Sequence, residues 1–108
     1  MRRLSPSEFE TKLTRIIEAL RAYEPHQVIL FGSFARGDYN TMSDIDLLIV
    51  KDTERAFLDR ISDVLALCDY DIALEPLIYT PEELRQMLEE GNSFLQTVLE
   101  EGIVVYEQ

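Results

Sequence analysis

The feature that most constrains this chain is the stretch GSFARGDYNTMSDIDLLIV at positions 32–50. An apolar run, Val28-Ile29-Leu30-Phe31, ends in the pair Gly32-Ser33, a polar loop follows, and a second apolar run opens on Asp44 and Asp46. The Ile, Leu and Val content of the second run predicts a strand, and strand side chains alternate faces, so Asp44 and Asp46 point the same way. Two carboxylates about 5 Å apart repel by roughly 3 kcal/mol at an effective dielectric of about 20, so an ionised pair calls for a cation between them. A divalent ion is the obvious candidate. Mg²⁺ above all is held by one or two protein carboxylates while substrate phosphates complete its shell.

The glycine-serine pair supplies the other half of that arrangement. Gly32 allows close approach of a backbone, and Ser33 offers an N–H and a hydroxyl to the same place. A short helix opened by Ser33 and running through Phe34, Ala35 and Arg36 would add partial positive charge where a phosphate binds. The combination points to a nucleoside triphosphate held by a metal at one end and by a backbone turn at the other. Arg36 steadies a phosphate or a carboxylate of the motif, or else forms a structural salt bridge. Ser43 is expected to hydrogen-bond the backbone or an Asp44 oxygen and so orient that ligand.

The segments GSFARG and SDIDLLIV resemble the G-S-x-A-R-G and S-D-x-D-L motif of the DNA polymerase beta-type nucleotidyltransferase superfamily, and within it the minimal nucleotidyltransferases. The motif is specific because it joins several chemically unusual positions in the right order. The similarity extends to LIYTPEEL and to the closing NSFLQTVLEEGIVVYEQ. It implies an α/β nucleotidyltransferase fold, a small mixed β-sheet covered by helices, in one domain over residues 1–108. It also implies transfer of AMP from ATP to a hydroxyl with release of pyrophosphate. Asp44 and Asp46 would hold two Mg²⁺ ions, and Gly32 and Ser33 the β and γ phosphates, with Arg36 and Ser43 supporting the nucleotide.

The third carboxylate is less clear from the sequence. Asp69, Asp71 and Glu75 share one parity in the segment 69–79, which reads as a further strand. Asp71 and Glu75 stand about 13 Å apart along a strand, so both cannot sit beside the aspartate pair. Minimal nucleotidyltransferases carry this acid just ahead of the turn into the next helix, and counting back from Thr80-Pro81-Glu82-Glu83 gives Glu75, with Asp71 in reserve. The family more often has Asp there, so Glu75 is a departure. In this reading Glu75 completes the second metal site and serves as general base. Pro76 beside it cannot donate to a ladder, which predicts an edge strand or a bulge.

Helices fill the remainder. Ser5-Pro6-Ser7-Glu8 reads as a capping box for a helix over 5–23, with Phe9, Leu13, Ile16, Ile17 and Leu20 on one face. A second helix is expected over 53–67, capped by Asp52 or Thr53. A third starts at the capping box Thr80–Glu83, with Leu84, Met87 and Leu88 inward and Gly91 as its stop. A fourth carries Phe94, Leu95, Val98 and Leu99 as its stripe, ahead of a short strand at 103–106. His26, the only histidine, reads as a solvated turn residue, and Cys68 as a buried small apolar one.

Composition narrows the partners. With 10 basic and 21 acidic residues the net charge is −11, which argues against general nucleic-acid binding, since neutralising phosphates requires excess Lys and Arg. Hydrophobic residues make up 46% and no run of about 18 apolar residues exists, so no membrane span is expected and a cytoplasmic protein is. The small size implies an acceptor supplied in trans. By resemblance the partner is a helical HEPN-domain protein, this chain being the antitoxin of a toxin–antitoxin pair that adenylylates a tyrosine hydroxyl of the toxin. Two alternatives stand beside it: a non-catalytic nucleotide-binding module that neutralises a helical partner by covering it, and a small-molecule (antibiotic) adenylyltransferase.

Overall fold

A computed structural model describes residues 6–39, 44–68 and 73–108. Its elements, in chain order, are α1 (Pro6–Arg21), β1 (Gln27–Phe31), α2 (Ser33–Arg36), β2 (Ile45–Val50), α3 (Phe57–Leu67), β3 (Leu74–Tyr79), α4 (Pro81–Glu89), α5 (Ser93–Glu101) and β4 (Ile103–Glu107). The strands form a mixed sheet in the order β3-β2-β1-β4, antiparallel except for the β2–β3 pair. Helices cover both faces, so the expected α/β architecture is the one observed.

β2 divides the core in two by its alternation. Ile45, Leu47 and Ile49 face α1 and α3, where they cluster with Ile16, Leu20, Val28, Leu30, Phe34, Val64 and Ile78. On the other face Leu48 and Val50 pack with Ile29 against Leu95 and Val98 of α5, with Leu84 and Met87 of α4 at the border. Leu47, Leu48 and Ile49 are wholly buried, each worth about 1.5–3 kcal/mol relative to exposure. Asp44 and Asp46 share parity with Leu48 and Val50. The second face therefore changes character along β2, from carboxylate at its start to aliphatic under α5.

Several boundaries differ from expectation. The helix expected from position 53 begins at Phe57, because Thr53 Oγ1 instead accepts the Arg55 N–H at 3.1 Å and holds a turn there. Its N-cap, Ala56, makes no side-chain cap. β3 begins at Leu74, while positions 69–72, and Asp71 with them, lie outside the described residues. So does Ser5 of the first capping box. The second capping box is present: Thr80 Oγ1 accepts the Glu83 N–H while the Glu83 carboxylate accepts the Thr80 N–H. Leu88, Phe94 and Leu99, expected inward, are 47%, 40% and 50% exposed, since α4 and α5 bury a narrower stripe than the sequence pattern allows. Pro76 lies in an edge strand, as its missing N–H requires, and the β2–β3 register runs through it unbroken.

Candidate active site

Topology brings the acids together. β1 runs antiparallel to β2 and β2 parallel to β3, so the end of β1 and the starts of β2 and β3 meet at one end of the sheet. In the register, Asp46 stands between Phe31 of β1 and Glu75 of β3. Paired residues on neighbouring strands share a face, so Glu75 lies directly beside Asp46. Asp44, two positions earlier, joins them, and the Glu75 carboxyl makes hydrogen bonds to both aspartates. Ser43 lies outside the described residues.

The electrostatics are those of a crowded acidic site. Burial holds the Asp46 carboxyl above its ordinary value, and the charge of Asp44 adds to this, while the hydrogen bond to Glu75 and the Arg36 guanidinium pull the other way. Glu75 is also raised, chiefly because its hydrogen bonds to Asp44 and then Asp46 require a proton. Among the described residues no group of three acidic, imidazole or thiol side chains is disposed to hold a metal ion, and these three close on one another instead.

Gly32 faces Asp46. Its backbone adopts φ +74°, a conformation that other residues enter at a cost. A Cβ at this position would overlap Asp46 Oδ2 and stand 3.1 Å from its Cγ. Glycine is therefore required twice, by the backbone and by the neighbouring carboxylate. The helix expected to open at Ser33 does so, and its first N–H groups have no acceptor within so short a helix.

Phe34 fixes this turn to the core. Its ring stacks with Phe9 of α1 at 4.6 Å and with Tyr39 at 4.4 Å, and those two rings meet each other at 5.6 Å, so the three close a triangle. Sequence reasoning placed Phe9 on the inner face of α1 but gave Tyr39 no part, because two rings five positions apart stack only if a tight turn folds the chain back. Gly37, the left-handed C-cap of α2, makes that turn. Arg36 pairs with a carboxylate on either side: Nε meets Asp38 of the motif loop at 3.2 Å and Nη1 meets Glu101 of α5 at 3.4 Å. His26 is exposed and paired with Asp52 at 2.9 Å, on a turn outside the acid cluster. Cys68 is buried at the end of α3, as expected.

One neighbour of the acids was not legible in the sequence. Phe31, the β1 partner of Asp46, meets Phe94 of α5 edge to face at 5.7 Å. Sequence spacing gives no signal for a contact across 63 positions.

Comparison with known proteins agrees with this geometry. The family described as polymerase beta, nucleotidyltransferase, matches residues 14–108. A Methanocaldococcus jannaschii protein provisionally named protein adenylyltransferase MJ0604 is 39% identical over 80 residues, covering 74% of this chain and 77% of that one. A second protein of that organism, provisionally named protein adenylyltransferase MJ0141, is 47% identical over 58 residues, 49% of this chain and 58% of its own length. Two crystal structures share the fold, each with a TM-score of 0.58. One is a provisionally assigned nucleotidyltransferase from Sulfolobus solfataricus, 20% identical, covering 97% of this chain and 91% of that one. The other is a toxin–antitoxin structure with AMP-PNP, 24% identical, covering 88% of this chain and 73% of that one. With the glycine-serine turn and the DxD strand in place, the chain belongs to the polymerase beta-type nucleotidyltransferase family, as a minimal nucleotidyltransferase.

Proposed function

We propose that this chain transfers AMP from ATP to a hydroxyl of a helical, HEPN-type protein in a Mg²⁺-dependent reaction, and so acts as the antitoxin of a toxin–antitoxin pair. The observation that carries the reading is the juxtaposition of Asp44, Asp46 and Glu75 with the glycine turn at Gly32. Its partner half draws support from the fold neighbour that is a toxin–antitoxin structure with AMP-PNP, and its transfer half from the relatives named as protein adenylyltransferases.

The donor set fits Mg²⁺ in chemistry, being hard oxygens on one strand face with Glu75 beside them. Two carboxylates are the usual protein share for that ion and phosphates supply the rest, so Asp44 and Asp46 would hold it jointly with a triphosphate. When bound it would neutralise phosphate charge and lower the pKa of the attacking hydroxyl. The protein's own part is positional. Gly32 and the N–H groups at Ser33 receive the β and γ phosphates, and Arg36 anchors the helix that carries them to α5 through Glu101. The acceptor oxygen attacks the α-phosphorus, the bond to the oxygen bridging the α and β phosphates breaks, and pyrophosphate leaves. Glu75, with its raised proton affinity, accepts the hydroxyl proton once that carboxyl is ionised.

A binding-only reading has one observation in its favour, the closure of Glu75 onto both aspartates. Labelled ATP, Mg²⁺ and a HEPN-type protein as acceptor decide between them by intact-mass measurement. A gain of one or more AMP units on the partner is the expected result. A tight complex whose partner keeps its mass removes the catalytic reading and leaves the covering one.

A further inference from the structure

We propose that the ring of Phe94 is the platform on which the base of the bound nucleotide stacks. The inference rests on the nucleotide reading of the site and assigns what that reading leaves open, the contact beyond the phosphates.

The position follows from two contacts. Phe31 is the β1 partner of Asp46 and shares its face, one strand spacing away at about 4.8 Å. Phe94 meets Phe31 at 5.7 Å with the rings at 81°. The two steps lead from the carboxylates up onto α5 over a distance that a ribose and base can span. Phe94 sits in the first turn of α5, where Leu95 and Val98 take the buried positions and leave Phe94 40% exposed. An aromatic ring half open to solvent and held edge-on by a second ring beside an acidic cluster is oriented without being covered. The other exposed apolar side chains of this region, Leu99, Ile103 and Val104, are aliphatic and offer no flat π-face.

Charge favours this division of labour. At net −11 the chain offers phosphates little positive charge away from the glycine-serine turn, whereas a nucleobase is uncharged and gains from stacking alone. Aromatic stacking tolerates any base because each has a π-face, so the platform sets affinity for a nucleoside and not its identity. The shallow groove lined by Tyr79, Glu83 and Gln86 is a poorer site for the base. Tyr79 stands four positions along β3 from Glu75, about 13 Å from the acids.

Calorimetry with Mg²⁺-ATP, Mg²⁺-GTP and the base-free Mg²⁺-tripolyphosphate tests the assignment in wild type, Phe94→Ala, Phe94→Trp and the control Leu99→Ala. Wild type is expected to bind both nucleotides more tightly than tripolyphosphate. Phe94→Ala should weaken ATP and GTP alike by about tenfold or more while leaving tripolyphosphate unchanged, with Phe94→Trp restoring nucleotide affinity. Leu99→Ala should match wild type. Equal loss of all three ligands in Phe94→Ala, or wild-type affinity for ATP no better than for tripolyphosphate, overturns the platform while the phosphate site stands. Wild type binding none of the three overturns the nucleotide reading and the platform with it.

Discussion

At Asp46 the requirements of stability and of chemistry oppose each other. Burial and the neighbouring Asp44 raise its proton affinity, and Glu75 is raised by its hydrogen bonds to both aspartates. A carboxyl raised on folding contributes stability that is fully present below its unfolded pKa and is lost as pH rises through the folded value. Above that range the cluster opposes the fold. Asp46→Asn is therefore expected to melt higher than wild type at pH 7 and alike near pH 3, below the ordinary values of the two raised carboxyls, Asp46 and Glu75, while transferring no AMP at either pH. Thermal melts at the two pH values check the first part and the intact-mass assay the second; wild-type transfer by the variant removes the metal pair from the mechanism. Gly32→Ala should cost about 1–3 kcal/mol in urea unfolding from its left-handed backbone alone. Nucleotide binding should fall further than stability does, because the added methyl displaces Asp46. At this scale the parity of Asp44 and Asp46 was legible, since it follows from the two-residue period of a strand. That Glu75 lies beside them was reached through resemblance, and only the parallel register places it there, since no local pattern fixes how two strands slide past each other.

At the border of the sheet's second face lies α4, and Arg60 of α3 secures it. The Arg60 guanidinium is buried, donating to the Ile78 carbonyl at 3.1 Å and to Glu83 at 2.7 Å. Glu83 belongs to the capping box as well, so one carboxylate joins α3, the end of β3 and the start of α4. The hydrogen bond from Arg60 holds the Glu83 carboxyl below its ordinary value. Such a group stabilises above its unfolded pKa and loses that contribution as pH falls through the folded one. Glu83→Gln should thus cost about 1–2 kcal/mol at pH 7, the half-exposed glutamate placing it below the range for fully buried pairs, and the difference from wild type should vanish on acidification below pH 4. Urea melts across that range read both. Thr80-Pro81-Glu82-Glu83 announced this helix because cap chemistry is local. The start of α3 was not announced, because Thr53 had two local partners to choose between and took the turn.

For the molecule as a whole, the α/β class and the covering helices were legible through the motif and the helical patterns, while the order of the strands, with β4 beside β1, needed the coordinates. Charge acts at this scale too. With 21 acidic against 10 basic residues the chain should meet a basic partner faster at low ionic strength, and stopped-flow association should slow as salt rises from about 0.05 to 0.5 M. A rate indifferent to salt would mean that the surplus serves solubility alone. The stacked rings of Phe9, Phe34 and Tyr39 carry a consequence of their own. They lash the glycine-serine turn to the first helix, so a tug on one is felt by the other. Occupancy at the front should be audible at the back, as slower amide exchange along α1 when a triphosphate settles in.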